Sequence, residues 1–150
     1  MDAEVYPQEK VKDFISRNFV PIRIHIKERP KDFERFKAEW TPTVILAEPD
    51  GTERYRFSGF LPEDDFLAEL QLGLGRAAFS RGQFKEAETD FNAVVNEHAQ
   101  SVAAPEAIYW RGVSAYKETH NPEPLKRAGE TLREKYPESE WAKKASVWLG

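Results

Sequence analysis

The side chains best able to do chemistry in this 150-residue chain are its 26 carboxylates and three histidines, because it contains no cysteine. Without a thiol there is no thiolate nucleophile, no disulfide and no sulfur-ligated metal. His25, His98 and His120 stand far apart, and none forms the close pair through which imidazoles commonly share a zinc ion. His25 lies between Arg23 and Lys27 on the polar side of an alternating segment, where no serine or carboxylate completes a triad. Glu63-Asp64-Asp65 follow Pro62 directly and suit the solvated first turn of a helix, complementing its dipole, better than an acid–base pair. Leu72-Gly73-Leu74-Gly75-Arg76 mimics a phosphate loop weakly, since its glycines sit inside an apolar helical period that permits close packing. These residues point to no catalytic site, no metal site and no cofactor.

Bulk properties exclude further classes. The formal charge of −4, with both signs interspersed, offers no basic surface for a run of phosphates, so nucleic acid is not an expected partner. Apolar runs such as Val44 to Ala47 fall far short of the roughly 20 residues that span a bilayer, and Met1-Asp2-Ala3-Glu4 is no secretory leader. A soluble, cytoplasmic chain without membrane contact is the expectation. At 40% apolar and 13% aromatic, it has ample material for a core.

The elements that must position these side chains follow from period and punctuation. Pro7 to Phe19 reads as a helix with Val11, Phe14, Ile15 and Phe19 on one face. Val20 to Lys27 alternates apolar and polar, the period of a strand, with Pro21 at its beginning. Pro30 opens a second helix carrying Phe33, Phe36 and Trp40, which Pro42 stops; Thr43 to Ala47 and Arg54 to Gly59 are strands joined through Asp50-Gly51 as an antiparallel hairpin. From Pro62 onward no strand period recurs. The fold class is therefore α/β followed by all-α.

The order of helix, strand, helix, Trp40-Thr41-Pro42-Thr43, strand, Asp-Gly turn, strand, Gly59-Phe60 and helix resembles the thioredoxin fold from its active-site helix onward, over residues 1–72. The resemblance implies that Pro42 is a cis-proline and that Thr41, Pro42 and Thr43 form the loop that pairs with a substrate chain. It also implies a Cys-x-x-Cys at the start of the first helix, preceded by a central strand. This chain has neither, and Met1-Asp2-Ala3-Glu4 looks like sequence just downstream of them. The segment at 20–26 and the hairpin then lack a common neighbour, leaving unpaired amides and edges. Either the chain is a downstream part of a longer one, or a partner supplies the strand, or the remaining parts close up differently. Unpaired edges could also join two copies as a homo-oligomer.

Residues 73–150 are similar to tetratricopeptide repeats. Leu74-Gly75, Gly82, Phe84, Ala87 and Phe91 keep the small-and-large spacing of one unit, and Ala107 to Gly112 with Tyr116 mark a degenerate second. Ser101, Ala104, Ala107, Trp110 and Gly112 recur 38 residues later as Ser139, Ala142, Ala145, Trp148 and Gly150. Carried over, the concave positions are Glu69, Leu72, Arg76 and Phe79 from the first unit and Tyr109, Val113, Tyr116 and Lys117 from the second. Phe79 and Val113 are expected to pack internally, so Glu69, Arg76, Tyr109, Tyr116 and Lys117 are the peptide-binding candidates. Leu72 and Arg76 stand where the chaperone-tail clamp of such repeats needs Lys and Asn, so that ligand is not expected. The expected function is a non-catalytic protein-interaction module; the alternative is the downstream part of a thiol–disulfide oxidoreductase whose Cys-x-x-Cys lies upstream of Met1.

Overall fold

The computed structural model describes residues 1–150 and shows an α/β part followed by an all-α part. In chain order the elements are α1 (Glu9–Asn18), α2 (Pro30–Arg35), β1 (Thr43–Ala47), β2 (Glu53–Ser58), α3 (Glu63–Ser80), α4 (Phe84–Glu97), α5 (Ala104–Thr119), α6 (Glu123–Lys135) and α7 (Glu140–Ala145), with a 3-10 turn at Ser146–Trp148.

β1 and β2 pair antiparallel, with Val44 opposite Phe57 and Leu46 opposite Tyr55. Alternation puts these four side chains on one face, where they meet Val11, Phe14, Phe66, Leu67 and Leu70 from α1 and α3. On the other face Arg56 donates to the carbonyls of Phe36 and Lys37, just beyond α2. The turn is longer than a two-residue hairpin: Gly51 sits at φ 87°, its N–H reaches Glu48 O, and Asp50 Oδ1 accepts from Thr52 N.

Two expectations fail locally. The alternating segment at 20–26 is not a strand: the sheet has two strands only, and no backbone hydrogen bond involves residues 20–24. A strand exists through its neighbour, and β1 and β2 pair only with each other, so 20–26 has no ladder and Val20 and Ile22 stand 89% and 75% exposed. Helix α2 stops at Arg35, where the chain turns through Lys37 at φ 49°, so Trp40 leaves the helical face and is 68% exposed.

In the second half each helix packs antiparallel on the next. Gln71 Nε2 donates to Asp90 and Asp64 meets His98 across α3 and α4; Arg111 donates to Asn92 and Lys85 approaches Glu118 across α4 and α5. Glycine sets the distances. A Cβ at Gly75 would lie 2.6 Å from a ring carbon of Phe91, and one at Gly112 would lie 2.8 Å from Ala128 Cβ and 3.0 Å from Pro124 O. The echo of α5 in α7 has a structural counterpart, since Ala107 and Ala145 are both fully buried.

Phe91 is itself fully buried and cannot swing clear. In Gly75→Ala the overpacking cost of about 1–3 kcal/mol should outweigh the roughly 0.5–1 kcal/mol that alanine gains over glycine in a helix. A lower urea midpoint is expected, and a higher one would show that the ring yields freely. Asp90 offers a second test, because burial, aided by Glu86, pushes its carboxyl up to about 6. An acid with a raised native pKa favours the fold while protonated. That contribution is complete below the unfolded value and is lost as the pH climbs through about 6. Asp90→Asn, which still accepts from Gln71, should therefore gain about 1 kcal/mol near neutral pH, allowing for solvent screening of a half-exposed group. The gain should vanish towards pH ~4 in paired denaturation curves.

Candidate functional site

With α4 antiparallel to both, α3 and α5 run parallel and share one face. Arg76 and Phe79, a turn apart on α3, meet Glu106 and Trp110, a turn apart on α5. Arg76 Nη1 donates to Glu106 Oε1 at 3.3 Å, its guanidinium lies 4.0 Å from the centre of the Trp110 ring, and Phe79 meets Trp110 edge-on at 5.1 Å. The face continues onto α7 and the 3-10 turn after it: Tyr109 stacks on Trp148 of the turn at 4.6 Å and tilts against Trp141 at 5.1 Å, while Lys144 Nζ sits 4.0 Å over Trp141. Three of the chain's four tryptophans thus gather here around Tyr109 and Phe79.

The polar side of this face is short of positive charge. Tyr55 of β2 donates its hydroxyl proton to Glu69 Oε2 at 2.6 Å, bridging hairpin and helices. Burial raises the Glu69 pKa, the Tyr55 hydrogen bond opposes this, and the Asp65 carboxylate adds to the rise. Burial likewise raises Glu106, offset by Arg76 and reinforced by Glu69. The Trp110 indole N–H favours the ionised form of Glu106 but is buried without an acceptor in hydrogen-bonding geometry. Tyr55 is held protonated by burial first, then by Glu69. Arg76 therefore serves Glu106, and Glu69 has the Tyr55 hydroxyl in place of a cation.

The structure groups the candidate residues unevenly. Arg76 and Tyr109 belong to this face, joined through Trp110. Glu69 lies at its hairpin end, committed to Tyr55. Tyr116 stands two turns along α5 with its ring near His120, and Lys117 is exposed and makes no ion pair. Leu72 is fully buried in the α3–α4 core, whereas Phe79 and Val113 are half-buried. Glu106, Trp141 and Trp148 escaped the sequence reading as members of the face. The echo of Trp110 in Trp148 marked one of them, while Glu106 and Trp141 show no signal without the helix pairing.

At the head of β1 the Thr41–Pro42 bond is cis, Pro42 O accepts from Gly59 N at 2.9 Å, and Thr43 Oγ1 contacts Trp40 O and Ser58 Oγ at 2.6 and 2.9 Å. Trp40 and Phe60 flank this loop in the open. The carboxylates in the first turn of α3 make no capping hydrogen bond; instead Asp64 meets His98 at 2.6 Å and Asp65 accepts from Val102 N at 2.8 Å, fastening α3 to the loop before α5. No group of three or more metal-ligating side chains gathers anywhere, and no helix is long and apolar enough to cross a membrane.

Compared with known families, residues 1–73 match the profile of the thioredoxin-like domain, a span that takes in α1, α2, the hairpin and the first half of α3. No curated protein and no solved structure matches the chain.

Arg76 lowers the pKa of Glu106, so removing the guanidinium while keeping the stem leaves a buried carboxylate whose ionisation is costlier. Arg76→Met should lose roughly 1–3 kcal/mol near neutral pH, less than for a fully buried pair. The carboxyl's raised pKa then favours the fold only at acid pH, so the deficit should shrink as the pH falls through the carboxylate range. Urea midpoints near neutrality and at pH ~4 compare the two conditions, and an equal deficit at both would assign Arg76 a packing role alone.

Proposed function

We propose that this chain is a protein-interaction module without redox chemistry of its own, in which a thioredoxin-like unit at 1–72 carries tetratricopeptide-like helices at 73–150. The face of α3, α5 and α7 receives an extended or helical peptide of a partner. The observation that supports this reading is the cluster of Trp110, Trp141, Trp148 and Tyr109 beside Arg76 and Lys144. Aromatic rings offer large contact area at small entropic cost, and cations at their edges give orientation. With no cysteine, the chain has no group to exchange a disulfide.

A second reading rests on the thioredoxin-like match with Pro42 at the head of β1. The chain is then the downstream part of a thiol–disulfide oxidoreductase, and Thr41, Pro42 and Thr43 meet the substrate chain beside a dithiol that lies elsewhere in the polypeptide. An in-frame Cys-x-x-Cys in the coding sequence ahead of Met1 supports it, and the lack of one removes it.

The interaction reading is tested by selecting peptides from a displayed random library on the intact chain and following tryptophan emission. Selected peptides should shift that emission and bind at least tenfold more weakly to Tyr109→Ala plus Arg76→Ala, with the far-UV spectrum unchanged. Binding unaffected by the double substitution would rule out this face.

A further inference from the structure

Where α3 and α5 face one another, the side chains present more acceptors than donors. The Tyr55 hydroxyl donates to Glu69 Oε2 and Arg76 Nη1 donates to Glu106 Oε1, while Glu69 Oε1 and Glu106 Oε2 receive no hydrogen bond from the chain. Both free oxygens still touch solvent, since the buried side-chain atoms without a partner are Ser101 Oγ and Trp110 Nε1 alone. The two cations of the face are already engaged: Arg76 by Glu106 and the Trp110 ring, Lys144 by the Trp141 ring and by Glu140 at 3.4 Å. Burial makes ionisation of both carboxyls costly, and Asp65 adds to the cost for Glu69 as Glu69 does for Glu106. A cation carried by a ligand lowers that cost, and an anion raises it. The rings share the preference, because the faces of Trp110 and Trp141 attract positive charge and each holds a cation now.

We infer that the partner segment received by the α3–α5–α7 face is basic: a lysine or arginine side chain of an extended peptide meets Glu69 and Glu106, and an apolar side chain further along meets Phe79 and Trp110. This rests on the peptide-interaction reading above and names the chemistry of its ligand. The geometry of α3 sets the spacing. Glu69 stands ten residues before Phe79 on one helix, so the acidic and aromatic ends lie about 15 Å apart along its axis. An extended chain covers that distance in roughly four or five residues. An acidic segment has no comparable place, since it would meet Arg76 and Lys144 only by displacing their present partners and would lie against two carboxyls.

The test selects peptides from a displayed random library on the intact chain and measures their binding to it and to Glu69→Gln plus Glu106→Gln. Glutamine keeps the side-chain length and a carbonyl that accepts from Tyr55 and Arg76, and the urea midpoint and far-UV spectrum report whether the variant is folded. The selected peptides should hold about threefold more lysine and arginine than the library, bind the glutamine variant roughly tenfold more weakly, and loosen as salt rises. If the variant does not fold, the composition of the peptides and their salt dependence on the intact chain decide alone. No excess of basic residues, an excess of acidic ones, or equal binding to a folded glutamine variant overturns the inference. Tryptophan emission separates this failure from that of the reading beneath it. Peptides that shift the emission without being basic sink the charge preference and leave the face standing, whereas selected peptides that never shift it remove the face and the preference together.

Discussion

The structure depends on α3 being buried along two sides at once. Phe66, Leu67 and Leu70 enter the hairpin core, while Ala68, Leu72 and Ala78 enter the core shared with α4 and α5. Two glycines let this happen: a Cβ at Gly73 would strike Leu46 and Tyr55 of the hairpin, and one at Gly75 would strike Phe91 of α4. A lone two-stranded hairpin is marginal in water. This one persists because α3 covers its apolar face, with Phe66 held edge-on between Tyr6 and Phe57. Helix α3 begins inside the thioredoxin-like span and runs unbroken beyond it, so the two parts are joined by a helix and not by a linker.

Much of this was legible from residues. Period and punctuation gave the hairpin, the helical second half and the packing role of Gly73 and Gly75, since these follow from local chemistry and volume. What misled was any inference that needed a partner the sequence does not name. The β-branched alternation at 20–26 reads as a strand wherever it occurs, but a ladder is a relation between two segments and its second member is missing. The same logic explains the site. Arg76 and Tyr109 could be picked out singly, whereas Glu106 acquires meaning only once α4 has brought α3 and α5 into parallel register, and Trp141 only once α6 has returned the chain to α5. Gly73 was expected between helices and in fact spaces a helix from a hairpin, a distinction of neighbour that no periodicity encodes.

Electrostatics on the α3–α5–α7 face follows from that register. Glu69 and Glu106 are pushed towards the neutral form mainly by burial, and each lies in the field of another carboxylate. Arg76 opposes this for Glu106, and the flat guanidinium can do so while resting on Trp110, an arrangement a lysine ammonium would not reproduce. Tyr55 serves Glu69 from the hairpin, so the polar row runs from one part of the molecule to the other.

The molecule leaves apolar surface open in two physically different ways. On the helical face the rings already stack on one another, Tyr109 on Trp148 and Trp110 against Phe79, on elements fixed by their neighbours. The peptide proposed for this face would exchange ring–ring for ring–ligand contact and pay little to order the protein. Along 20–24 the backbone makes no hydrogen bond, and the ladder of turns resumes only at His25 O, which accepts from Glu28 N and Arg29 N. The two surfaces thus differ in what is already ordered: neighbours hold the rings of the first, while no ladder holds the backbone of the second.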